Sequence, residues 1–255
     1  MIKQERMLVV DQNEIAKNIF QLTVQGEMAK EMAEPGQFVH VRVADSFEPL
    51  LRRPISVSSI NFETGQFTMI YRAEGRGTTL LSGKKIGDEL DVLGPLGNGF
   101  PVEKAEKKAY LVGGGIGVPP LYELAKQLNS RGIETVHILG FESKDAVFYE
   151  AQFRELGETH IATVDGSYGT QGFVTHILNE LPQEFDTYYS CGPTAMLDAV
   201  QWAYPEKKGF LSYEQRMGCG IGACFACVCR TTKSETDYIK VCSDGPVFPA
   251  GLVIS

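Results

Sequence analysis

Six cysteines occur in 255 residues, and five of them fall after position 218. Four, Cys219, Cys224, Cys227 and Cys242, follow the spacing C-x4-C-x2-C with the fourth cysteine after fourteen intervening residues. That is the order in which plant-type [2Fe–2S] sites present their thiolates. Gly218, Gly220, Gly222, Ala223 and Ala226 lie between or beside the first three. Small residues let a backbone wrap a buried charge closely and aim its amides at sulfur, which tunes the potential. Four thiolates also suit tetrahedral zinc, but zinc sites usually pair one C-x2-C with another, and only one such pair exists here. Cys229, two residues past Cys227, reads as a small buried hydrophobe.

A second group of residues could hold phosphates. Gly113, Gly114, Gly115 and Gly117 follow a short apolar run and open a helix-like stretch, where amides favour an anion. Val118 stands where a strict G-x-G-x-x-G would place its last glycine, so a tight strand-to-helix turn explains the run equally well. Cys191-Gly192-Pro193 follows another strand-like run and shares that sheet end, where open α/β folds bind ligands. Upstream, Arg52 and Arg53 precede Pro54, Ile55 and Ser56, while Ile70, Tyr71 and Arg72 lead to Gly77 and Thr78. Together these arginines and the Gly-Thr step could neutralise a pyrophosphate. By charge alone the better reading is a set of solvated surface arginines.

The elements that must position these groups divide the chain in three. Over 1–101, apolar runs at 37–43, 55–58, 67–71 and 90–93 alternate with Gly, Pro and Asp turns, predicting an antiparallel β-barrel or sandwich. Over 102–210 the rhythm becomes strand then helix, with strands near 109–112, 135–139, 160–164 and 187–190. Leu121, Leu124, Ala125 and Leu128 form one helical face, and Met196, Leu197 and Val200 another. That alternation predicts a parallel sheet in an α/β nucleotide domain. Over 211–255 periodicity gives way to Gly and Cys, predicting a small cluster-binding segment.

A net charge of −8, with the 24 Lys and Arg spread along the chain, argues against nucleic acid as a partner. No stretch reaches the ~18 apolar residues of a transmembrane helix, and Met7-Leu8-Val9-Val10 is too short for the apolar core of a signal peptide. A cytoplasmic protein with reduced thiols is therefore expected, which favours metal chemistry over disulfides.

The order of motifs, Arg53-x-x-Ser56, Gly77-Thr78, Gly94-Pro95-Leu96-Gly97, the Gly113 to Gly117 loop and Cys191-Gly192-Pro193, resembles the ferredoxin-NADP reductase superfamily over residues 1 to about 205. With Glu214 to Cys224 added, the whole chain resembles the electron transfer subunits of dihydroorotate dehydrogenase B. The resemblance implies FAD and one [2Fe–2S] cluster as cofactors and NAD as diffusible substrate. It also implies an FMN-containing catalytic subunit as partner, in a 2+2 heterotetramer of pyrimidine (UMP, orotate) biosynthesis. Electrons from dihydroorotate would pass through FMN, cluster and FAD to NAD⁺. Carried over by motif, Arg53, Pro54, Ile55, Ser56, Ile70, Tyr71, Arg72, Gly77 and Thr78 would hold FAD. Gly113, Gly114, Gly115, Gly117, Cys191, Gly192 and Pro193 would hold NAD, with Cys191 at the nicotinamide face of the flavin. Ile55 stands where the superfamily usually has Tyr, so an aromatic stack on the flavin is lost there. Neither 141–145 nor 165–168 carries an arginine for a 2′-phosphate, which favours NAD(H) over NADP(H). Reductase subunits of sulfide dehydrogenase or ferredoxin-dependent transhydrogenase type share nearly every motif and remain the alternative.

Overall fold

The computed structural model describes residues 1–254 other than 45, 47 and 235. Its first part is a closed antiparallel barrel. β1 (Lys3–Ala16), β2 (Ile19–Gln25), β3 (Phe38–Arg42), β4 (Arg53–Asn61) and β5 (Gln66–Arg72) come first; a short helix α1 (Arg76–Ser82) and β6 (Glu89–Leu96) follow. Around the barrel the strands run β1-β2-β5-β4-β3-β6, so no edge is left unpaired. Met7, Val9, Leu22, Val24, Val39, Val41, Met69, Leu90 and Val92 fill the interior. β1 and β2 were not among the expected strands. Polar residues on both sides leave β1 only the short apolar run Met7–Val10, although it pairs with both β2 and β6.

The second part follows the strand–helix rhythm read from sequence. β7 (Lys108–Gly114) feeds α2 (Pro119–Ser130), whose prolines at the first turn need no amide partner there. Then come β8 (Glu134–Phe141), α3 (Glu150–Leu156), β9 (Glu158–Thr163), β10 (Thr170–Gln171), α4 (Val174–Glu180), β11 (Thr187–Cys191), α5 (Thr194–Ala203) and β12 (Lys208–Ser212). The C-terminal segment adds β13 (Val228–Thr231), β14 (Tyr238–Lys240), β15 (Val247–Pro249) and β16 (Val253–Ile254).

One seven-stranded sheet runs β10-β9-β8-β7-β11-β12-β15, parallel except where β15 returns antiparallel to β12. β12 crosses the expected boundary at 210, so the middle and C-terminal segments share a sheet. β14-β13-β16 form a separate three-stranded sheet. Strand order reverses between β7 and β11, and the glycine loop and Cys191-Gly192-Pro193 leave from those two carboxyl ends. Such a switch point leaves a crevice outside the sheet edge.

Two joints set the parts against each other. Glu123 of α2, 3% exposed, accepts the Ile60 amide of β4 at 3.0 Å and Lys126 Nζ at 2.8 Å. Asn98, just after β6, donates its amide to the Ser243 and Asp244 carbonyls at 3.1 Å each. The first joint ties the sheet domain to the barrel, and the second ties the barrel to the cysteine segment.

Candidate functional site

The cysteine loop is built by glycines in the left-handed region. Gly220 (φ +72°) and Gly222 (φ +79°) turn the chain between Cys219 and Cys224 where an L-side chain would be strained. The turn aims amides at sulfur: Gly222 N–H donates to Cys242 Sγ at 3.2 Å and Cys224 N–H to Cys219 Sγ at 3.3 Å. Desolvation raises the Cys219 thiol, but the amides of Cys224, Ile221 and Ala223 outweigh it and bring its pKa down to about 6. A thiolate is thus favoured there at neutral pH. Cys242 is pushed up to about 12, first by burial and then by its contact with Cys227.

The loop therefore joins the four expected cysteines, with Cys227 and Cys242 buried and Cys219 and Cys224 partly open. Cys219 touches Cys224, and Cys227 touches Cys242. Among the described residues no three His, Cys, Asp or Glu side chains converge to hold one ion. Four thiols held this way, with Cys242 interacting with Cys219 as well as Cys227, suit a two-iron centre ligated by cysteine. Cys229 is buried in the core and paired across β14 with Ile239.

Beside this loop lies a cleft of about 220 Å³. Pro54, Ile55, Ser56, Ile70, Tyr71, Arg72 and Thr78 supply its barrel wall. Arg53 lies over the neighbouring backbone: a Cβ on Gly77 would meet the Arg53 Cζ at 2.6 Å, so only glycine admits that guanidinium beside Thr78. The opposite wall is Ser212, Tyr213, Glu214, Gln215 and Met217, the chain leading into Cys219. Sequence reasoning missed this wall, because nothing in its composition signals that β12 ends facing the barrel. The Tyr213 hydroxyl is buried, with no hydrogen-bond partner among the described residues. Glu214 stands at the exposed rim. The donor set, with Arg53, Arg72 and Ser56 around an apolar slot of Ile55, Ile70 and Tyr71, fits a flavin and its phosphates.

A second cavity of about 470 Å³ opens at the switch point, lined by Gly114, Gly115, Gly140, Glu142, Pro193 and Met196 among others. Arg72 lines both cavities and so stands between them. Of the expected nucleotide residues, Gly114, Gly115 and Pro193 reach this space, whereas Gly113, Gly117, Cys191 and Gly192 do not line it. Gly117 serves packing: a Cβ there would strike the Cys191 carbonyl and stand 2.5 Å from Gly192 N. Cys191 is 1% exposed, lines neither cavity and has its thiol pushed well up by burial. A reactive role for it at the nicotinamide face therefore finds no support in its surroundings. Glu142, just after β8, is the polar group that the search for arginines passed over.

The chain's similarities accord with this layout. A model of the iron-sulfur cluster binding domain of dihydroorotate dehydrogenase B matches residues 214–254. A protein of Lysinibacillus sphaericus named dihydroorotate dehydrogenase B (NAD(+)), electron transfer subunit, is 62% identical over 99% of both chains. One of the same name from Bacillus cereus is 57% identical over 100% of both. Among solved structures, an NADH-dependent reduced ferredoxin-NADP oxidoreductase described for flavin-based electron bifurcation superposes with TM-score 0.88 at 30% identity, covering 98% of this chain and 90% of that one. The cytochrome b5 reductase domain of Ulva prolifera nitrate reductase shares the fold, with TM-score 0.62 at 16% identity over 77% of this chain and 89% of that one.

Proposed function

The chain belongs to the family of dihydroorotate dehydrogenase B electron transfer subunits, and from that premise we propose that it carries electrons from an FMN-containing catalytic subunit to NAD⁺ in pyrimidine biosynthesis. The observation that carries this reading is proximity: Met217 lines the cleft of the barrel wall two residues before Cys219, and Arg72 lines both that cleft and the cavity at the switch point. When bound, FAD supplies the exchange between two-electron nicotinamide chemistry and one-electron cluster chemistry. The protein's own part is placement. Arg53 and Thr78 would bind the flavin's phosphates, Ser56 and the Tyr71–Arg72 wall would orient its ring, and Cys219, Cys224, Cys227 and Cys242 would hold the cluster. Gly114 and Gly115 would let a dinucleotide approach the backbone, and Glu142 would accept the ribose hydroxyls while repelling a 2′-phosphate. No side chain is required as general acid or base.

Among the described residues no helix is long and apolar enough to cross a membrane, and the family's name implies a catalytic partner subunit. A 2+2 assembly in the cytoplasm is our reading of the rest. The test is co-expression with the neighbouring catalytic subunit: the complex should contain FMN, FAD and two irons per copy of this chain, and should reduce NAD⁺ with dihydroorotate. A complex that reduces NADP⁺ or ferredoxin but not NAD⁺ would favour the transhydrogenase-type alternative. Protein carrying zinc and no iron would refute the redox reading altogether.

A further inference from the structure

His40 is a buried ionisable side chain beside the cluster loop with no role in the proposed electron path. It sits on β3, is 0% exposed, and neither ring nitrogen has a hydrogen-bond partner among the described residues. Burying an imidazole with both nitrogens unpaired costs free energy that an apolar residue would avoid. By contrast, buried His137 bonds Thr159 and Thr135 through both its nitrogens, at 3.0 and 2.9 Å. The backbone around His40 is well held: Arg52 donates to its carbonyl and grips Asp91 with two bonds of 3.0 Å. The ring of Phe38 lies 5.9 Å away.

The ring presses on the cluster loop. A Cβ built on Gly220 would stand 2.7 Å from His40 Cε1, 2.8 Å from Nδ1 and 2.9 Å from Nε2. Gly220 follows Cys219 directly and has φ +72°. Two requirements thus coincide at Gly220: the loop turns left-handed, and the imidazole takes the space where a Cβ would stand. A neutral imidazole offers one N–H donor. The electron-rich acceptors that the proposed cofactor would bring to this loop are sulfurs.

We infer that His40 donates its ring N–H to a sulfur of the iron–sulfur cluster, as a positioning residue from the barrel that raises the cluster's reduction potential. The inference rests on the [2Fe–2S] reading. A hydrogen bond to sulfur withdraws electron density and favours the reduced state. The barrel, which carries the flavin wall, would then also tune the cluster, and Gly220 would be required for that approach.

The test uses the complete complex with its cofactors, produced with ¹⁵N-histidine. The chain has four histidines, and the other three, His137, His160 and His176, lie on elements of the seven-stranded sheet layer. Pulsed EPR of the dithionite-reduced cluster should show a weak ¹⁵N coupling that disappears in His40→Phe. The midpoint potential of His40→Phe should fall by an amount equal to about a tenfold shift of the redox equilibrium, ~59 mV for one electron. His40→Gln, which keeps an N–H donor, should recover part of it. No ¹⁵N coupling in the wild type would overturn the inference even if His40→Phe fails to fold. A strong coupling would overturn it too, by making His40 a ligand. A missing reduced-cluster signal with zinc bound would instead refute the cluster reading beneath it.

Discussion

Replacing Glu123 with Ala probes the joint that sets the nucleotide sheet against the barrel. Glu123 bonds the Ile60 amide at 3.0 Å, Lys126 at 2.8 Å and Gln127 at 3.1 Å from a nearly enclosed position. Its removal leaves the Ile60 N–H without its acceptor, and an orphaned buried donor costs about 1–3 kcal/mol. Lys126 is one-third exposed and keeps its 3.0 Å bond to Ser59, so loss of the ion pair adds little. A loss of about 2–3 kcal/mol follows, and for a chain of this size each kcal/mol lowers Tm by roughly 2–4 °C. Thermal unfolding followed by circular dichroism should show a drop of about 4–12 °C. FAD fluorescence should rise in the same interval, because β4 carries both Ile60 and the Arg53–Ser56 wall. Glu123→Gln keeps an acceptor for Ile60 and should lose about half as much. A Glu123→Ala melt within about 1 °C of wild type would show that the joint carries no such energy.

Other perturbations separate the proposed parts. Cys224→Ser should abolish dihydroorotate-dependent NAD⁺ reduction in the complex while NADH-to-dye activity at FAD persists; loss of both in a folded, FAD-loaded variant would contradict the placement of the cluster between partners. Glu142→Ala removes charge-assisted bonds of about 1.5–3 kcal/mol, so KM for NADH should rise roughly 10–100-fold while NADPH is rejected less strongly; an unchanged NADH/NADPH ratio would remove Glu142 from the site. Burial lowers the pKa of His137 from 6.5 to about 3. The unfolded chain therefore gains a proton that the folded one does not as pH falls from about 6.5 toward 3, and stability drops over that window. Between pH 7 and 5 this amounts to about 2 kcal/mol, and melts of His137→Leu should be flatter with pH by that amount. Equal slopes would assign the acid sensitivity elsewhere.

Much of the site was legible from local spacing. Cys219, Cys224 and Cys227 occupy one loop whose intervening glycines make it turn, so spacing and geometry are nearly the same information. Strand β7, its glycine turn and helix α2 were legible for the same reason, the apolar period changing within a few residues. Ser56, Tyr71, Arg72 and Thr78 could be picked out by motif order and do share one wall. The cavity linings divided the glycines differently: Gly114 and Gly115 face open space, while Gly117 meets a backbone that lies far away in sequence.

What only the tertiary structure decided are the approaches made by closing the barrel and pairing β12 with β15. Barrel closure pairs β1 and β2, whose apolar residues beyond the short run Met7–Val10 are interrupted by polar ones. The return of β15 carries Pro246 to Tyr213 and so forms the cleft's second wall, Ser212 to Met217. His40 and Gly220 are 180 positions apart, and no local pattern marks a histidine that will be buried against a loop glycine. The sequence by itself determined which chemistry the thiols and phosphate-binding turns can do, because ligand identity and short-range turns are local properties. Which groups face one another across the cleft depended on long-range strand pairing, whose register is set by burial of whole faces rather than by any single residue.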